Sequence, residues 1–129
     1  MNELDKHINE TFSSHYMNNT KWLKLFDTLS EYLDEFYVEY KLIHSDEIES
    51  TTFFVSDMPP FFIEPILYKE VEWISFPLQY EQTINKRTTR SYTKQYSQDI
   101  GEIERIIKSI GEFELELGDS EIKLFGYKK

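Results

Sequence analysis

The chain has 129 residues, 40% of them hydrophobic and 16% aromatic, and a formal charge of −10. That length fits one domain, and the aromatic content (ten Phe, nine Tyr, two Trp) excludes a disordered chain, which lacks the apolar surface to offset ordering. The absence of cysteine excludes a disulfide scaffold, a thiolate metal site and a thiol nucleophile, and the acidity opposes direct contact with nucleic acid or an anionic membrane.

In chain order, residues 2 to 16 carry Leu4, Ile8 and Phe12 at intervals of four. This thin stripe predicts a peripheral N-terminal helix or arm over residues 1–17. Asn18, Asn19 and Thr20 supply capping groups, and Trp22, Phe26, Leu29 and Leu33 recur at helical spacing, which predicts a helix from Thr20 to Glu35. The segment from Phe36 to Ile43 alternates around Glu39 and Lys41 and reads as a strand. A polar turn at His44–Glu47 and a second strand over Thr51–Val55 follow. Met58-Pro59-Pro60 breaks that strand, because proline has no ladder donor. Phe61–Pro65 reads as an apolar loop or edge segment, and Glu70–Phe76 as a third strand.

Residues 78 to 96 give no clear period and read as a long loop or irregular edge strand. They hold the one basic stretch, Lys86, Arg87, Arg90 and Lys94. Ser97 or Asp99 can cap a helix, with Glu102 three residues beyond Asp99. Ile100, Ile103, Ile107 and Ile110 form its apolar stripe, and Gly111 is a natural stop. Phe113, Leu115 and Leu117 then alternate with Glu112, Glu114 and Glu116, a half-buried strand. Gly118-Asp119 suits a two-residue turn into a returning strand, Glu121–Phe125. The expected fold is α+β: a mainly antiparallel sheet of about five strands with two or three helices packed on one face, in a single domain over 1–129.

The residues offer little chemistry. His44 stands near Asp46, Glu47 and Glu49, yet matches no metal-ligand spacing, and a solvated turn accounts for it. Glu112, Glu114 and Glu116 fit the wet side of an amphipathic strand. No nucleophile elbow or phosphate loop is present, and four glycines leave little material for one. The expectation is therefore a binding protein, not an enzyme, with no catalytic residue, cofactor or metal. The N-terminus shows no basic region followed by an apolar one, so the default compartment is cytoplasmic.

Three pieces carry a resemblance: Asn19-Thr20-Lys21-Trp22, Val71-Glu72-Trp73-Ile74 and Ile122-Lys123-Leu124-Phe125-Gly126-Tyr127-Lys128. Over residues 18 to 129 they resemble a group of small bacterial proteins of unknown function, which implies no activity. In size, acidity and missing chemistry the chain also looks like bacterial immunity proteins, an analogy independent of fold. That likeness implies an immunity or antitoxin-type inhibitor that occludes the active site of a basic toxin domain, such as a nuclease. Carboxylates would fill the cationic cleft and rings would anchor the centre. The candidate carboxylates are Asp46, Glu47, Glu49, Glu112, Glu114 and Glu116, and the candidate anchors Tyr37, Phe61, Phe62 and Tyr92. The expected partner is a basic protein, with the chain itself a monomer or homodimer. The alternatives are a stand-alone module acting through homo-oligomerisation, and a small enzyme or metal-binding protein using His44.

Overall fold

The computed structural model describes residues 3–53, 61–63, 66–84 and 92–129. Helix α1 spans Glu3–Thr11 and is followed by a short strand β1, Ser14–His15. Helix α2 spans Asn19–Tyr32. Its first turn is capped by Asn18, whose side chain accepts the Lys21 N–H at 2.8 Å, as the run of capping residues predicts. Strands β2 (Phe36–Leu42) and β3 (Ile48–Phe53) form a hairpin, and β4 (Phe61–Ile63) pairs with β5 (Ile66–Leu67). A 3-10 turn at Tyr68–Glu70 leads into β6, Val71–Pro77. Next come β7 (Gln79–Ile84), β8 (Tyr92–Ser97), α3 (Ile100–Ile110), β9 (Leu115–Leu117), β10 (Glu121–Phe125) and β11 (Tyr127–Lys128). The proline break at 58–60, residues Phe54 and Val55 of the expected second strand, and the basic run from Lys86 to Arg90 lie outside the described residues.

The main sheet is antiparallel and five-stranded, in the order β3-β2-β6-β10-β9. Strand pleating decides its two faces, because alternate side chains point to opposite sides. Phe36, Val38, Tyr40 and Leu42 of β2, Ile74 and Phe76 of β6, and Ile122 and Leu124 of β10 face α2 and α3. With Trp22, Leu25, Phe26 and Leu29 from α2 and Ile103, Ile106 and Ile107 from α3 they make the main core. Phe26 is its hub, stacking or tilting against Trp22, Phe36, Phe53, Phe62 and Tyr68. The α+β expectation holds: α2 and α3 pack on one face of the sheet.

Helix α1 goes elsewhere. Ile8 and Phe12 meet Ile43 and Tyr127 in a separate small cluster at one end of the sheet, with Phe12 and Tyr127 stacked at 5.1 Å. Strand β1 pairs with β11, and flanking bonds from Ser13 N–H to Lys128 O (3.0 Å) and Tyr16 N–H to Gly126 O (2.9 Å) extend that ladder. The expected arm is thus a helix that docks through Ile8, the following Phe12 and the partly buried Leu4. Gly126 sits where these segments cross. A Cβ there would lie 2.7 Å from the Val71 carbonyl oxygen, so the close approach requires glycine.

Residues 79–84 and 92–97 form a two-stranded ribbon, β7–β8, where the sequence predicts a loop or irregular edge strand. Its Tyr80 ring lies on Tyr37 of the main sheet (4.0 Å, 3° between planes), and Gln82 bonds Thr52 at 2.8 Å. Among the described residues no helix is long and apolar enough to cross a membrane.

Candidate functional site

The six carboxylates singled out in the sequence do not form one face. Asp46, Glu47 and Glu49 are exposed at the β2–β3 turn, on one edge of the sheet. Glu112, Glu114 and Glu116 lie along the opposite edge, and the β9–β10 turn there is at the other end of the strands, because β2 and β10 each run antiparallel to β6 between them. The two hairpin tips are therefore diagonal to each other, while Glu114, whose carbonyl accepts the Phe125 N–H, lies at the same end of the strands as the β2–β3 tip. Strand β9 is also shorter than its alternation predicts. It holds Leu115–Leu117 alone, with Leu117 49% exposed, and the turn shifts by one residue: Gly118 N–H bonds Glu121 O at 2.9 Å, leaving Asp119 and Ser120 as the loop.

The β2–β3 tip is well braced. Ser45 Oγ accepts the Glu47 N–H at 3.1 Å. His44 Nε2 lies 3.0 Å from Glu70 Oε1, while the other oxygen of Glu70 accepts the Leu67 N–H at 2.6 Å. The neighbour of His44 is thus Glu70, not Asp46. Among the described residues no group of three or more His, Cys, Asp or Glu is placed to hold a metal. Tyr40 lies across from Glu49 in the β2–β3 register. Burial first, and this carboxylate second, push the Tyr40 phenol up. Ile48, 60% exposed, completes the tip.

Of the expected anchors, Phe62 is fully buried against Phe26, Tyr40 and Phe53. Tyr37 is 8% exposed beneath Tyr80. Neither offers a ring to a partner, which corrects both expectations. Each sits in a strand whose neighbours cover it, something alternation within one strand does not reveal. For Phe61 and Tyr92 the backbone pairs with Leu67 and Ile84, and the expectation about their rings lies outside the described residues.

On the sheet face turned away from α2 and α3 the lysines are taken up within the chain. Register places Glu39, Ser75, Lys123 and Glu116 in one row across β2, β6, β10 and β9. Ser75, 1% exposed, donates to Glu121 at 2.8 Å. Lys123 lies over the Trp73 ring (4.2 Å), Lys41 pairs with Glu72 (2.8 Å), and Lys128 pairs with Glu114 (3.0 Å). Burial, then the nearby Glu121, push the Glu39 carboxyl up, and Lys123 opposes them.

The α2–α3 end of the molecule differs. Tyr32, the last residue of α2, is 64% exposed, and Asp34 and Glu35 follow it, both exposed. Beside them is a cavity of about 250 Å³ lined by Leu33, Glu35, Tyr80, Ser97, Gln98, Asp99 and Ile103. Each wall has a local cause. Leu33 leaves the helix with extended backbone, its N–H still bonded to Leu29 O. Asp99 caps α3 by accepting the Glu102 N–H at 3.0 Å, as the capping pattern predicts. The Gln98 carboxamide accepts the Tyr37 N–H (3.0 Å) and donates to Tyr37 O (2.9 Å) and Pro77 O (2.8 Å), holding the β8–α3 junction to the sheet. Tyr80 stacks on Tyr37 and on Tyr96. Its phenol is pushed up by burial first and then by the charge of Glu35.

Arg105 at this end is taken up by Glu102. Asp34, Glu35 and Asp99 enter no ion pair among the described residues. Sequence reading missed Tyr32, Asp34 and Glu35. The available signal was an aromatic residue near the close of a helix, one residue short of a pair of acids.

A second cavity, about 310 Å³, lies between α1 and the β1–β11 ladder and is lined by Asp5, Ile8, Asn9, His15, Lys69 and Tyr127. Its charged groups answer each other: Lys69 pairs with Asp5 at 3.3 Å, and the Tyr127 hydroxyl donates to Lys69 O at 2.9 Å.

Compared with known proteins, residues 4–129 match the model of a family described as a family of unknown function, DUF6678. The match takes in α1, which the sequence resemblance over 18–129 leaves out. No curated protein and no solved structure matches the chain.

Proposed function

The chain belongs to this family of unknown function, and on that footing we propose that it is an acidic protein-binding domain of immunity or antitoxin type. It engages a cationic protein partner, such as a nuclease toxin domain, and blocks the partner's active site. The observation that carries this reading is the α2–α3 end: exposed Tyr32 beside Asp34, Glu35 and Asp99, none ion-paired among the described residues, around a preformed cavity. An exposed ring with carboxylates around it has the make-up of an interface centre with a charged rim. The −10 charge speeds encounter with a cation and makes the association salt-sensitive. The braced β2–β3 tip, with Ile48 among Asp46, Glu47 and Glu49, is a second acidic contact on the same molecule.

The test is co-expression with the product of a toxin gene lying beside the gene for this chain. Calorimetry then compares the native protein with a Tyr32→Ala/Asp34→Lys double variant. Stable, salt-sensitive binding is expected, weakened by about tenfold or more in the variant, since truncating an interface hot spot costs about 2 kcal/mol or more. Unchanged affinity in a variant with native melting temperature would move the interface away from this end. Absence of binding to any cationic toxin product would defeat the reading.

A further inference from the structure

We infer that the cavity between the end of α2 and the start of α3 is the seat for one arginine side chain of the partner. This rests on the reading of the chain as a binder of a cationic protein. At about 250 Å³ the cavity is at the small end of ligand sites and has room for a single inserted side chain. Leu33 and the Tyr80 ring, both half-buried, supply apolar wall for a methylene stem. Glu35 and Asp99 supply carboxylate for the head group, and none of the lining residues is basic. An amphipathic cation, with an apolar stem and a charged tip, satisfies both halves. Arginine suits the second half better than lysine, because its planar guanidinium presents several donors in a fixed fork and is more weakly hydrated than an ammonium.

The walls are also fixed before any ligand arrives. Gln98 is held by three side-chain hydrogen bonds, Tyr80 by two stacked rings, and Asp99 by its bond to the Glu102 N–H. A fixed cavity lowers the ordering cost of binding.

The test needs no partner. Nα-acetyl-arginine amide is titrated into the labelled protein and followed by amide chemical shifts, with the citrulline counterpart as the neutral isostere. Shifts confined to Leu33, Ser97, Gln98, Asp99 and Ile103 are expected for arginine and not for citrulline. Glu35→Gln, a surface change remote from the core, should weaken the titration by up to about fivefold, the scale of one solvent-exposed ion pair. Equal shifts from citrulline, or none from arginine at these amides, overturn the assignment. Such a failure leaves the partner reading intact if a cationic protein still binds. Conversely, arginine binding here with no cationic protein partner would defeat the partner reading and keep the pocket.

Discussion

The main core and the small cluster at α1 are built from the same kinds of side chain, yet the chain closes them differently. The core gathers Trp22, Phe26, Phe36, Phe53, Phe62, Ile74, Ile107 and Leu124 from two helices and several strands, so no one element can leave without exposing the others. The cluster has four buried members, Ile8, Phe12, Ile43 and Tyr127, and the two from the N-terminal segment are held to the rest by a two-residue ladder. Burial of an individual ring is nearly equal in the two places. What differs is how many elements must move together to uncover it, and that number separates global from local opening.

The largest effect expected from this contrast is at Phe26. Phe26→Ala removes the ring that touches five other aromatic side chains and should cost about 3–5 kcal/mol, read as a fall in urea midpoint with unchanged slope. A smaller loss would mean that the surrounding rings collapse into the space. Phe12→Ala deletes a ring of similar burial, but its global cost is capped by the free energy that docks the arm, on the order of 1–2 kcal/mol. Its signature is in hydrogen exchange. The amides of Ser13 and Tyr16 should exchange faster while those of Ile74 and Leu124 keep their protection. Uniform acceleration throughout the sheet would erase the distinction between the two clusters.

Glu39→Gln has the smallest effect and concerns the sheet face outside both clusters. A carboxyl whose folded-state pKa lies above its unfolded value disfavours the folded state once ionised. Stability from this group is therefore highest below the ordinary carboxyl range and declines as pH rises through the raised value. The variant should melt slightly higher than the native protein at neutral pH, with the difference vanishing in acid. A lower melting point at neutral pH would show that attraction to Lys123 outweighs burial and Glu121.

Much of this architecture is legible in the sequence. The stripes of α2 and α3, the Asp99 cap and the alternation of β2 and β10 come directly from side-chain period. The ribbon β7–β8 does not. Along the ribbon Gln82 and Lys94 stand on the same side as Tyr80 and Tyr96, so no clean apolar alternation marks either strand, and their pairing depends on each other and on Tyr37. The placing of the carboxylates is illegible for a related reason. Alternation tells which side of a strand a residue occupies, but not which edge of the sheet the strand takes. Inserting β6 between β2 and β10 is what puts Asp46 and Glu116 on opposite edges. Gln98 reads as an ordinary linker residue, and only the tertiary fold turns its amide into a clamp.

The ladder between Ser14–His15 and Tyr127–Lys128 has a mechanical consequence. Its strands are antiparallel, with Ser14 beside Lys128, so tension applied through handles on residues 3 and 129 meets the ladder at its open end and loads its bonds one rung at a time. A pair that short has little independent strength. Under an optical tweezer the molecule should first lengthen by a small, reversible step as the arm peels off, and rupture of the five-stranded sheet should follow at a separate, higher force.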